Sequence, residues 1–62
     1  MELVERYPGL YHIYNDAQIF IGNFTNHGGV WLYAPVSDDS AYLNSMDLID
    51  LADELTELNK KP

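Results

Sequence analysis

Sixty-two residues without a cysteine make one domain at most, close to the lower size limit of autonomous folding, with no disulfide or thiolate zinc site to staple it. Ten acids against three bases give a net charge of −7, which disfavours direct contact with nucleic acid or an anionic membrane, since both need Lys and Arg. The same charge favours a partner protein with a basic surface.

In chain order, residues 1–9 form an N-terminal segment in which Pro8-Gly9 breaks any helix begun before it, leaving a short turn or an edge segment. Residues 10–36 read as an antiparallel meander of three strands. Leu10–Tyr14 (LYHIY) is rich in β-formers and ends at Asn15-Asp16; residues 18–24 (QIFIGNF) follow, with Gly22 as a bulge or close-approach point. Thr25-Asn26-His27-Gly28-Gly29 is the strongest turn signal, and Gly29 or Val30 opens a third strand that Pro35 closes. Residues 37–43 are a loop, or supply a short fourth strand at 41–43.

Residues 44–59, NSMDLIDLADELTELN, predict an amphipathic helix, followed by a tail at 60–62. Leu48, Leu51, Ala52, Leu55 and Leu58 share one stripe at about 100° per residue, and Asp47, Asp50, Asp53, Glu54 and Glu57 share the opposite side. Asn44 is the expected N-cap, with Asp47 three positions on reaching back as in a capping box, and Ser45 the alternative. Asp47 and Lys60-Lys61 complement the helix dipole.

These elements imply an α+β fold: one two-layer domain with the helix packed on one face of the meander. Alternation places Ile13, Ile19, Ile21, Val30 and Leu32 toward the helix. Phe20, Phe24, Trp31, Tyr33 and either Tyr14 or His12 fall on the other face; a register slip of one residue would exchange the sets.

Two candidate binding surfaces follow. Acidic helix faces often serve only solubility. This ridge is one-signed, however, where a merely soluble helix mixes Glu with Lys at i, i+4. In charge and size alone the chain resembles small virus-encoded inhibitors of restriction, repair and CRISPR enzymes, in which regular carboxylates imitate duplex phosphates. That resemblance implies a phage or mobile-element origin and a basic groove as the target. The second surface is the aromatic set Phe20, Phe24, Trp31 and Tyr33. Such residues are commonly core or scattered surface, but a contiguous exposed patch would serve a homodimer seam or a partner interface.

His12 in a strand and His27 in a Gly-rich turn are too separated to suggest a metal site. The sequence has no phosphate loop, nucleophile elbow or EF-hand spacing. The expectation is a protein-binding inhibitor or modulator without enzyme activity, cofactor or metal. The alternative is an assembly module that self-associates through its aromatic sheet face. No stretch approaches the roughly 20 apolar residues of a membrane span, and Glu2 and Glu5 do not fit a secretory signal. With the missing cysteines, this leads to a cytoplasmic expectation, in the host cytoplasm if virus-encoded.

Overall fold

The computed structural model describes residues 1–36 and 42–60. Four strands, β1 (Glu2–Tyr7), β2 (Leu10–Tyr14), β3 (Phe20–His27) and β4 (Val30–Pro35), precede one helix, α1 (Ser45–Lys60). The strands form an antiparallel sheet in the order β1-β2-β3-β4, and α1 lies across one face. This is the expected α+β architecture. The fourth strand, however, is the N-terminal segment. Tyr42 and Leu43 are not in a strand, and the rest of the 37–43 loop assignment lies outside the described residues.

Local chemistry explains each hairpin. Pro8 and Gly9 link β1 to β2, with Gly9 at φ 98°, the positive value that the third position of a type II turn requires. Gly28 (φ 61°) and Gly29 (φ 93°) link β3 to β4; two successive positive φ angles match a type I′ turn, whose twist suits a hairpin. The Asn26 Oδ1 accepts from the Gly29 amide at 3.0 Å and steadies it. Between β2 and β3 the Asn15 Oδ1 accepts from the amides of Ala17 (2.9 Å) and Ile19 (3.0 Å), and Gln18 takes a positive φ of 65°. The ammonium of Met1 also reaches this loop, pairing with Asp16 at 2.6 Å.

One irregularity decides the sheet. Ile13 pairs with Gly22 but Tyr14 pairs with Phe20, so Ile21 is an extra residue in β3. Such a bulge changes the parity of every residue beyond it. Ile21 and Phe24 therefore both point toward the helix, and with Ile13 they are the three fully buried side chains. Leu51 completes the core, and Met1, Leu3, Tyr11, Trp31, Tyr33, Leu43, Leu55 and Leu58 pack around it.

The alternation reading is corrected accordingly. Phe24, Trp31 and Tyr33 lie under the helix, not on the far face. Val30 and Leu32 lie on the far face, about half exposed, and Ile19 sits in the β2–β3 loop. Ile13 and Ile21 face the helix, and Phe20 the far side, as the alternation implies. Phe20 there makes tilted ring contacts with His12 (4.9 Å) and Tyr14 (5.7 Å).

Two contacts hold the helix-side aromatics. Tyr33 lies over Gly22, where an added Cβ would come within 2.7 Å of both its ring and the Ala34 carbonyl oxygen; only glycine fits there. The Tyr33 hydroxyl donates to the Ile21 carbonyl at 3.0 Å, satisfying a backbone group at the bulge. Trp31 stacks obliquely on Tyr11, centroids 5.3 Å apart.

Candidate protein-binding surface

The helix begins as its sequence dictates. The Asn44 Oδ1 accepts from the Asp47 amide at 2.9 Å, and Asp47 Oδ2 accepts from the Asn44 amide at 3.3 Å. This reciprocal pair is a capping box with Asp in place of Glu. It fixes the residue at which α1 starts; the packing on the sheet sets how the helix is rolled.

That rotation differs from the symmetrical stripe of the leucines. Leu51 is buried and Leu55 and Leu58 are half-buried, whereas Leu48 is 55% exposed and Ala52 is exposed. The buried line is thus displaced from the centre of the leucine stripe toward the acids. Asp47 and Asp50 are half-buried, and their charges act on the Met1 ammonium, whose pKa is raised first by its hydrogen bond to Asp16. Asp53, Glu54 and Glu57 face solvent. Glu57 meets Lys60 at 3.3 Å, a surface pair worth little.

The same roll exposes apolar residues. Leu48, Ile49 (53% exposed) and Met46 (64% exposed) stand on the outer helix, with Tyr42 (83% exposed) just before its cap. At about 100° per residue, Leu48, Ala52, Thr56 and Ile49 form an uncharged arc roughly 100° wide, and the acids occupy a separate arc. Met46 projects among the acids. The outer helix is therefore two adjoining strips, one apolar and one anionic.

The residues expected to bind divide along these lines. Asp53, Glu54 and Glu57 are fully presented, and Asp47 and Asp50 flank them closer to the fold. Phe20 is half-buried on the far sheet face. Phe24 is inaccessible, and Trp31 and Tyr33 are committed to packing beneath α1. Helical spacing alone gives no role to Met46, Ile49 and Tyr42 and counts Leu48 with the packed stripe. Their signal lies in composition: the apolar residues of 44–59 span more than half the helix circumference, more than one sheet face can cover.

Among the described residues no cavity forms, and no three histidine or carboxylate side chains gather as metal ligands. No helix among them is long and apolar enough to cross a membrane. No protein-family model, curated protein or solved structure matches this chain.

Proposed function

We propose that this protein is a small inhibitor or modulator that lays the outer face of α1 on a basic, nucleic-acid-binding surface of another protein. The observation that carries this reading is the line of carboxylates on one side of α1. Asp47 to Glu57 set five negative charges along eleven residues, or one per roughly 3.3 Å of helix axis. A single strand of duplex DNA carries one phosphate per about 3.4 Å. A groove tuned to that density would attract α1, and the adjoining apolar strip supplies contacts that nucleic acid lacks. Host defence, repair or transcription proteins are the target class that this chemistry fits.

The test is affinity capture on the immobilised protein, from a host-lysate fraction already selected for binding to heparin. Retained protein should elute with added duplex DNA and with rising salt, and Asp53→Lys with Glu54→Lys should abolish retention while leaving the circular dichroism unchanged. Retention indifferent to DNA, salt and charge reversal would defeat the reading, as would no retention at all. The sheet face opposite α1 favours a second reading, a module that assembles with its own kind.

A further inference from the structure

The register places Val4, His12, Tyr14, Phe20, Leu32 and Ala34 on the sheet face turned away from α1. An antiparallel sheet with one solvated face normally carries polar residues there. The middle of this face is aromatic and aliphatic instead, with Thr25 and His27 beside Leu32 and Val30 at the hairpin end, and no other described element covers it. Asn23 sits among them on β3, paired with His12 and Ala34, and its Oδ1 has no hydrogen-bond partner.

We propose that this face packs against the same face of a second copy, giving a twofold dimer of four layers with the helices outermost. Charge selects the occupant. Among described strand residues, Glu2 on the edge strand is the one carboxylate that the register puts on this face. Sheet-to-sheet packing at about 10 Å, with a helix layer of similar thickness on each outer side, holds the two helices roughly 30 Å apart. That separation is several Debye lengths at physiological salt, about 8 Å each. A dimer through the apolar strip of α1 would bring the two acidic arcs together at helix-packing distance, about 8–10 Å. The sheet face is thus the apolar surface that suits a second copy, and the helix strip suits a basic partner.

Area agrees. Four strands about 4.8 Å apart and five residues long span roughly 300 Å² in projection. With side-chain relief they bury on the order of 500–600 Å² per copy, about 1,000–1,200 Å² in total, which clears the minimum for a biological interface and fits a weak dimer. The seam differs from the one alternation suggests, since Phe24, Trp31 and Tyr33 take no part in it.

The experiment is molar mass by light scattering and sedimentation equilibrium up to about 1 mM protein, at 0.15 M and 1 M salt. The expected result is a mass rising to twice the monomer value, undiminished by salt. Leu32→Lys and Val4→Lys should each raise the dissociation constant at least tenfold, while Ile49→Lys on the helix should leave it unchanged. Should a face variant fail to fold, concentration-dependent methyl shifts in the unaltered protein decide instead: Val4, Leu32 and Ala34 should move, and Leu48 and Ile49 should not. A monomer at every concentration overturns the proposal, as does a dimer broken by Ile49→Lys but not by Leu32→Lys. The outcome is separable from the helix reading, because Asp53→Lys with Glu54→Lys should still dimerise.

Discussion

The side chain of Asn59 holds the backbone of Trp31 at both of its polar groups. Its Oδ1 accepts from the Trp31 amide at 2.8 Å, and its Nδ2 donates to the Trp31 carbonyl at 3.1 Å. Trp31 pairs with Asn26, one step from the His27–Val30 pair that closes the hairpin. In a two-residue hairpin the closing pair exchanges hydrogen bonds, so the next residue turns its amide and carbonyl outward. Asn59 therefore imitates one residue of a fifth strand, ties the last turn of α1 to β4, and occupies an open strand edge.

Replacing Asn59 by Ala should cost about 1–2 kcal/mol, since two hydrogen bonds are lost but both backbone groups can turn to water. Asn59→Asp should cost more, because its carboxylate keeps the acceptor but faces the Trp31 carbonyl without a donor. Urea unfolding gives the stability, and amide exchange at Trp31 gives the location. Unchanged exchange there in Asn59→Ala would mean that the contact does not persist in solution.

Gly22→Ala is expected to be among the more damaging single-methyl additions in this chain. The new Cβ meets the Tyr33 ring at 2.7 Å and the Ala34 carbonyl oxygen at 2.7 Å. Overpacking typically costs about 1–3 kcal/mol. Gly22→Ala combined with Tyr33→Leu should recover only part of that loss, because the backbone clash remains. Full recovery in thermal unfolding would place the whole conflict in the ring.

Much of this arrangement can be read in the sequence, and the failures share a cause. Asn44 and Asp47 announce the cap by spacing alone, and Gly28-Gly29 announces the hairpin, because both are local chemistry. Residues 2–7 are ambiguous because Glu2, Glu5 and Arg6 are poor strand formers; β1 forms because Leu3 pairs with Ile13 and packs on the core, a tertiary effect. The sheet faces exchange at Ile21. One bulged residue separates Ile21 from Phe24 by an odd step yet puts both inside, and alternation has no means of seeing it. For the same reason the aromatic binding set dissolves, leaving Phe20 outside and Phe24 in the core. On the helix, the leucine spacing gives a stripe, but the sheet decides which part of that stripe is covered.

Alkaline titration should report on Tyr33. Burial pushes its phenol above the ordinary 10.0, so the unfolded chain loses this proton first. The contribution of Tyr33 is then complete below about pH 10 and disappears as pH rises through its raised value. Tyr33→Phe should be less stable than the native chain at neutral pH, having lost the bond to Ile21. The gap between their urea midpoints should narrow as pH rises above about 10. A constant gap across that range would show that Tyr33 ionises alike in both states.

The cap can be tested without touching the core. Asn44→Ala removes the acceptor for the Asp47 amide and should cost about 1 kcal/mol, while Asn44→Ser should retain most of it. The loss should appear in the first turn, where Met46 and Leu48 stand exposed. Chemical shifts of those two residues should move toward coil values before the rest of α1 melts. Uniform loss along the helix would instead assign its stability to the leucine packing alone.

The two strips of α1 should leave different signatures on binding to a captured partner. Asp53→Asn with Glu54→Gln should weaken binding and flatten its salt dependence, because screened charge attraction is what those side chains supply. Ile49→Ser with Leu48→Ser should weaken binding while leaving the salt slope intact. Each apolar side chain is already about half covered, so burying the remainder is worth roughly 1 kcal/mol, or several-fold in affinity. Titration calorimetry at three salt concentrations separates the two effects. A salt slope lost from the serine pair, or kept by the neutralised acids, would mean that the partner reads α1 by something other than an anionic strip beside an apolar one.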